Sequence, residues 1–210
     1  MTNKPWSDYM LETILLKPLR SDSHMSEDAI AAEHEIVLEA QKDEMAFGKL
    51  YDKYFDGIFG FVYRRTDDEA LTADLTSQVF LKALQNIKKY EYRGLPFSAW
   101  LYRIASNEVN HYYRKHNKTV IFSLEEGRVA DLIDETEESS EERIAVLMKC
   151  LKEMPTSIIE VLELRFFEEK NFNEIAFILE ITESGAKMRT YRALEKLKGS
   201  FDIKMKQYNG

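Results

Sequence analysis

The sequence is poor in residues that interrupt helices and in residues that form cross-links. Its 210 residues include only 8 glycines and 4 prolines, which disfavours a turn-rich β fold and favours helices. The single Cys150 cannot form an internal disulfide, and the 4 histidines include no pair at metal-ligand spacing. These absences argue against a disulfide scaffold and a metal enzyme, and a lone thiol suits a reducing compartment.

Long apolar runs and catalytic motifs are missing as well. No stretch approaches the roughly 18–20 apolar residues that a membrane span needs, and the apolar run at 14–16 is too short for a signal peptide. The motifs of phosphate-binding loops, nucleophile elbows and helical zinc proteases are absent too. We therefore expect a cytoplasmic protein without membrane insertion, with no catalytic residues, no metal and no cofactor.

The sequence contains enough apolar residues to form a core, and its charged residues are arranged in blocks along the chain. Hydrophobic residues make up 44% and aromatic residues 12%, which excludes a wholly disordered chain. The segment 123–142 alone has the net charge of −8 that the whole chain has, whereas 88–118 carries +5 and 183–206 carries +4. Two basic segments separated by an acidic one are typical of a chain that contacts nucleic acid at two places.

Apolar residues recur at helical spacing in two groups of segments. The first group predicts helices at about 29–41, 47–62, 67–87 and 97–115, with a capping box at Thr66 and Glu69 and a loop at 88–96. The second group predicts helices from 139 to Pro155, from there to about Phe167, and at 173–179 and 183–198.

These segments predict an all-α fold of two small helical domains joined by an acidic flexible linker. The expected limits are an N-terminal extension at 1–26, a first domain at 27–118, the linker at 119–138 and a second domain at 139–210. The last two helices, joined by the turn 180–182, favour a helix-turn-helix whose second helix enters the major groove of DNA. The alternative is an ordinary helical hairpin with a solvated basic face.

A polar face on the helix at 97–115 carries a second signal. Arg103, Asn107, Asn110 and Arg114 recur at helical spacing, and the preceding loop holds Tyr90 and Tyr92. Aromatic rings, amides and cations together suit single-stranded nucleic acid, because bases stack on rings while cations hold phosphates. The alternative is that the tyrosines cover the core and the charges are merely solvated.

Two blocks of this sequence resemble the bacterial sigma factors. DLTSQVFLKAL (74–84) and FSAWLYRIASNEVNHYYRKH (97–116) are similar to their first conserved domain, and 142–198 is similar to their C-terminal domain. Because nothing large separates the two blocks, the chain resembles the extracytoplasmic-function subgroup. The resemblance implies a subunit that binds core RNA polymerase, reads the −35 promoter element as duplex DNA and stabilises the melted −10 element. It also implies an anti-sigma factor as a partner.

The resemblance assigns three sets of residues. Those implied to contact −35 DNA are Ser184, Gly185, Lys187, Met188, Arg189 and Arg192. Those implied to contact −10 DNA are Tyr90, Tyr92, Arg93, Arg103, Asn107, Asn110, His111 and Arg114. Those implied to contact core polymerase are Asp74, Ser77, Gln78 and Lys82.

The sequence departs from the family pattern at three places. Glu180 stands in a turn where glycine is common, so the turn needs another backbone conformation or is strained. Ser77 and Gln78 replace the usual glutamine and acidic residue, and Met188 replaces a small polar residue. Two other classes remain as alternatives: a stand-alone helix-turn-helix regulator, and an enzyme or pure protein-interaction module.

Overall fold

The computed structural model describes residues 26–116 and 141–208, and the regular elements in these ranges are helical. The α-helices are Glu27–Lys42 (α1), Phe47–Thr66 (α2), Glu69–Asn86 (α3), Phe97–Lys115 (α4), Glu141–Lys152 (α5), Thr156–Leu162 (α6), Phe172–Leu179 (α7) and Glu183–Tyr208 (α8). The all-α prediction is confirmed. Residues 1–25 of the expected extension and the expected linker at 119–138 lie outside the described residues. None of the described helices is both long enough and apolar enough to cross a membrane.

Contacts divide the described residues into two compact helical units. The first unit contains α1 to α4 together with residues 173–182, and the second contains residues 141–172 together with α8. The prediction of two helical domains is confirmed. The domain limits expected from the sequence stay a prediction.

The core of the first unit lies where α2, α3 and α4 pack on one another. These helices place their apolar stripes inward, and the most deeply buried members are Leu50, Ile58, Phe61, Val62, Val79, Ala83, Leu101, Ala105 and Val109. Burying one large aliphatic side chain contributes about 1.5–3 kcal/mol relative to leaving it in water. This packing leaves the opposite, polar side of α4 facing solvent.

The predicted capping box at the start of α3 is wrong. Thr66 is the last residue of α2, and its hydroxyl lies 2.6 Å from the hydroxyl of Thr72 in a buried contact. The cap of α3 is Asp68, whose carboxylate accepts a hydrogen bond from the backbone N–H of Leu71 at 3.0 Å. Because Asp67 takes a left-handed conformation (φ 50), the chain turns sharply and brings Asp68, rather than Thr66, to the open end of the helix.

The second unit has its own core between α5, α6 and α8. Cys150 of α5, Val161 of α6 and Ala186 of α8 are each 0% exposed. Helix α8 continues ten residues beyond the predicted end at 198, to Tyr208. Its apolar stripe explains this extension, because Leu194, Leu197 and the buried Phe201 form one continuous face.

Candidate nucleic-acid interface

The first turns of α8 have a buried face of small residues and an exposed basic face. Ala186, Thr190 and Ala193 are buried, and the Thr190 hydroxyl donates back to the carbonyl oxygen of Ala186 at 3.0 Å. The predicted −35 residues Ser184, Lys187, Met188, Arg189 and Arg192 are exposed, and Gly185 is half-buried. Close to the start of the helix, this surface offers long cations with one apolar side chain, Met188, among them.

Two further features of α8 modify that surface. Lys187 Nζ forms an ion pair with Glu183 Oε1 one turn earlier, at 2.8 Å, so part of its charge is neutralised within the helix. Tyr191 is 47% exposed next to Arg192, and it is not among the residues predicted from the sequence. Its signal was available in the sequence, because Tyr191 falls outside the buried stripe of a basic helix and a tyrosine hydroxyl can donate to a DNA phosphate.

The backbone is strained in the turn between α7 and α8, which is one of the two outcomes expected for a residue other than glycine at position 180. Glu180 adopts a left-handed conformation with φ 55, directly after the end of α7. The N–H of Ile181 donates to the carbonyl oxygen of Ala176 at 3.0 Å, which is the long-range bond of a Schellman helix end. Glycine is the usual residue at this left-handed position because it has no Cβ.

The polar face predicted for α4 lies in solvent over most of its length. Asn107, Asn110, His111 and Arg114 are exposed, whereas Ala105 and Val109 on the opposite side are fully buried. Intrahelical contacts partly order this face: Arg114 Nη2 lies 3.4 Å from His111 Nδ1, and Asn110 Nδ2 donates to Ser106 Oγ at 3.4 Å. The amide of Asn107 lies at the centre of the face.

Arg103 differs from the other residues of this face because its guanidinium is already engaged. It forms an ion pair with the Glu180 carboxylate, and its Cζ lies 5.1 Å from the ring centroid of Phe177. Glu180 and Phe177 belong to the same compact unit as Arg103. The side chain is 32% exposed. Contact of Arg103 with DNA would therefore compete with this ion pair.

The loop before α4 contains one packed tyrosine and one exposed tyrosine. The Tyr90 ring lies 5.3 Å from Phe97 and 5.1 Å from Trp100, measured between centroids, so the core-covering alternative fits Tyr90. Burial, and then the charge of Glu33, raise the pKa of Tyr90 to about 12, which keeps its hydroxyl protonated. Tyr92 is 43% exposed and does not cover the core.

The neighbours of Tyr92 complete a small polar and aromatic surface. Its ring stacks on that of His34 with centroids 4.5 Å apart. Arg93 is exposed and lies 3.6 Å from Glu91, and Gly94 takes a left-handed conformation with φ 71 that turns the chain toward α4. The loop therefore presents a ring, a cation and the start of the α4 face side by side.

The residues predicted to bind polymerase form one face of α3. Asp74 and Ser77 are exposed, and Gln78 donates from Nε2 to Asp74 Oδ2 at 2.9 Å. Lys82 continues the same face, and its Nζ lies 2.6 Å from Glu108 Oε1. Leu81 is 54% exposed one turn after Ser77, and it is not among the residues predicted from the sequence. It adds an apolar group to an otherwise polar surface.

Comparison with known proteins matches both candidate regions. Residues 50–119 match Sigma-70 region 2, and residues 150–199 match Sigma-70 region 4. BldN, an extracytoplasmic-function (ECF) RNA polymerase sigma factor of Streptomyces coelicolor, is 35% identical over 172 residues, which cover 78% of this chain and 63% of BldN. The chain thus spans slightly less than two thirds of that relative.

Two shorter relatives from Bacillus subtilis match over most of their length. The ECF sigma factor SigW is 30% identical over 168 residues, covering 74% of this chain and 89% of SigW. The ECF sigma factor SigM is 27% identical over 161 residues, covering 75% of this chain and 96% of SigM.

Solved structures agree with the fold. CnrH in complex with the cytosolic domain of CnrY has a TM-score of 0.57 at 21% identity, covering 82% of this chain and 98% of CnrH. The sigma factor RpoE in complex with the anti-sigma factor NepR from Bartonella quintana has a TM-score of 0.55 at 19% identity, covering 75% of this chain and 97% of RpoE. With the two matched regions and the relatives above, the chain belongs to the ECF subgroup of RNA polymerase sigma factors.

Proposed function

We propose that this chain binds core RNA polymerase and directs it to promoters through two DNA-contacting faces. The observation that carries the proposal is that an exposed polar face lies in each matched region. The α4 face and its loop lie within residues 50–119, and the first turns of α8 lie within residues 150–199.

The α4 face and its loop are the part that captures melted −10 DNA. Extruding a base from the stack costs a few kcal/mol, which stacking and phosphate contacts offset. Tyr92 offers an exposed ring, Asn107 and Asn110 offer amides for base edges, and Arg114 offers a cation for phosphate.

The first turns of α8 are the part that reads −35 duplex DNA. Arg189 and Arg192 are long enough to reach guanine edges or phosphates from a helix in the major groove. The α3 face from Asp74 to Lys82, with exposed Leu81, is the surface for core polymerase. In this assignment the chain performs no catalytic step, and it acts in the cytoplasm, where the polymerase forms the bonds.

An anti-sigma factor is the regulatory partner that fits this proposal. RpoE of Bartonella quintana was solved with the anti-sigma factor NepR, and a regulator of that class would act here by covering the polymerase-binding face of α3.

A stand-alone helix-turn-helix regulator is the second candidate, and the helix–turn–helix order of α7 and α8 favours it. Such a protein would bind duplex DNA without polymerase. It has no need for the exposed amides of Asn107 and Asn110 beside an exposed tyrosine, so the α4 face favours the sigma-factor assignment.

The test is run-off transcription with purified bacterial core polymerase on a pool of genomic fragments, with and without this chain. We expect new transcripts whose promoters share two spaced upstream elements. If the same transcripts appear without the chain, and the chain alone binds duplex DNA, the result supports the stand-alone regulator and contradicts the proposal.

A single variant tests the −10 assignment on a promoter recovered in this way. Asn107→Ala should lower permanganate reactivity of the −10 thymines while leaving closed-complex formation in the cold unchanged. Asn86→Ala is the matched control, because Asn86 is an exposed amide on α3 whose Nδ2 donates to the carbonyl oxygen of Lys82 at 2.9 Å. Equal reactivity of the Asn107 variant and the wild type would remove α4 from the −10 site.

A further inference from the structure

Helix α1 lies before the range matched by Sigma-70 region 2, yet it contributes a buried carboxylate to the candidate −10 site. Glu33 is 3% exposed. Its Oε1 accepts hydrogen bonds from Lys53 Nζ at 2.6 Å and from the Tyr54 hydroxyl, and its Oε2 accepts from the backbone N–H of Phe97 at 2.7 Å. Burial, followed by the charge of Glu33, raises the pKa of Tyr54, so this hydroxyl remains a donor.

The bond to Phe97 matters because Phe97 is the first residue of α4. The first N–H groups of a helix have no partner within the helix, and a side chain just before it usually accepts one of them. Here that position is Pro96, which provides no side-chain cap. Glu33 supplies the missing acceptor from 64 residues away, and its negative charge also suits the positive end of the helix dipole.

Two other residues of α1 hold the loop that precedes α4. Gln41 donates from Nε2 to the carbonyl oxygens of Ile87 at 3.0 Å and Tyr90 at 2.9 Å. His34 stacks on Tyr92. Helix α1 therefore fixes the beginning of the loop, its exposed ring and the first residue of α4.

We propose that Glu33, supported by Gln41, is a positioning residue for −10 capture: it sets the start of α4 and the loop at 90–95 where melted bases are bound. Glu33 does not touch DNA in this proposal, which rests on the −10 assignment above. In enzymes a misplacement of about 1 Å costs up to a hundredfold in rate, and binding sites likewise need their groups held within about 0.5 Å, so a buried contact behind the site should have a measurable effect on capture.

The test variant is Glu33→Gln, which keeps the size of the side chain. A glutamine amide nitrogen cannot accept a hydrogen bond. Depending on how the amide is oriented, either the N–H of Phe97 loses its acceptor or the donors of Lys53 and Tyr54 lose theirs. The matched control is Glu39→Gln on the same helix. Glu39 pairs with Lys49 at 2.9 Å, and the two side chains are 58% and 63% exposed.

The measurement is the affinity of the reconstituted holoenzyme for a fluorescent single-stranded oligonucleotide that carries the non-template −10 sequence. Core-polymerase affinity and the thermal midpoint are recorded for the same samples. We expect Glu33→Gln to weaken capture by about tenfold or more, with core affinity within about twofold of wild type. Glu39→Gln should match the wild type in every measurement.

Gln41→Ala keeps the test decisive if Glu33→Gln fails to fold. It removes the bond to Tyr90 at the start of the loop and the bond to Ile87 just before it, without disturbing a buried carboxylate, and it should weaken capture while leaving core affinity intact. Wild-type capture by the folded Glu33 variant would overturn the proposal. Wild-type capture by Gln41→Ala would also overturn the proposal if the Glu33 variant is unfolded. A parallel loss of capture and core affinity would overturn it as well, because a purely structural role predicts that pattern.

Asn107→Ala separates failure of this proposal from failure of the −10 assignment. If Asn107→Ala loses capture and the α1 variants do not, only the role of Glu33 is wrong. If Asn107→Ala captures the oligonucleotide as well as the wild type does, the −10 assignment fails and the role of Glu33 falls with it.

Discussion

Lys82 on α3 and Glu108 on α4 form an ion pair, with Nζ 2.6 Å from Oε1. The Glu108 side chain is only 9% exposed, and that of Lys82 is 48% exposed. A residue that the sequence assigns to polymerase contact is therefore also the cation that compensates a mostly buried carboxylate. The pair joins the candidate polymerase face to the helix that carries the candidate −10 face.

Replacing Lys82 should destabilise the first unit. Lys82→Met keeps most of the aliphatic stem but leaves the Glu108 carboxylate without this cation, and we expect unfolding free energy to fall by about 1–2 kcal/mol. This figure is smaller than the roughly 3–5 kcal/mol for breaking a fully buried ion pair, because Lys82 is half-exposed and water screens its charge. Urea denaturation measures the change.

The double variant Lys82→Met with Glu108→Gln is the control for that result. It removes the unpaired charge and should recover part of the lost stability. Loss of polymerase affinity with unchanged stability would instead make Lys82 purely a contact residue.

Alanine at Arg189 or Arg192 should weaken use of the promoter. We expect a loss of about 1–3 kcal/mol for either residue if it reads a base, with relaxed preference at one −35 position. A residue that only holds phosphate should weaken all promoter sequences alike and reduce the salt dependence. Run-off transcription on a set of −35 variants at two salt concentrations distinguishes these outcomes.

Lys206→Ala is the matched control for the arginine variants, because Lys206 is an exposed cation at the far end of the same helix. It should leave transcription unchanged. Wild-type transcription by both arginine variants would remove α8 from the −35 site.

The features that the sequence predicts well are those that depend on neighbouring residues. The apolar stripe from Phe97 to Ile104 predicts a helix at 97–115, and α4 has those bounds. The exposed faces of α4 and α8 follow from the same periodicity, because burying one side of a helix leaves the other in solvent.

The features that the sequence does not predict depend on contacts between distant residues. The bond from Phe97 to Glu33 spans 64 positions, and the pair of Lys82 with Glu108 spans 26. No local pattern encodes either contact, so the sequence predicts no role for Glu33 and only a binding role for Lys82. The capping box failed for a local reason: Thr66 fits the pattern, but the left-handed backbone at Asp67 makes Asp68 the cap of α3.

Glycine at position 180 should be better tolerated than alanine. Both substitutions remove the ion pair with Arg103, so their difference isolates the backbone. A residue with a Cβ in the left-handed region costs about 1–2 kcal/mol, part of which the extra unfolded-state freedom of glycine offsets. We expect Glu180→Gly to be about 0.5–1 kcal/mol more stable than Glu180→Ala in urea denaturation. Equal stabilities would mean that the turn rearranges.

The thiol of Cys150 should be unreactive in the folded protein. It is 0% exposed in the core of the second unit, and burial raises its pKa, so both access and the thiolate fraction are reduced. An aryl disulfide reagent at pH 8 should label the native chain only through the small fraction of molecules in which the second unit is unfolded, and it should label one thiol per chain at once in denaturant.

The pH dependence of Cys150 labelling follows from the direction of this shift. A thiol whose pKa is raised in the folded state stabilises the fold at pH values below the ordinary thiol pKa of about 8.5. This contribution to the free energy of unfolding is lost as the pH rises through the folded-state pKa. Native-state labelling should therefore accelerate more steeply above pH 9 than the ionisation of a free thiol does, because the unfolded fraction rises too. Cys150→Ala should give no labelling under any condition. Fast, stoichiometric labelling of the wild type at pH 8 without denaturant would place Cys150 at the surface and contradict the packing of α5 against α8.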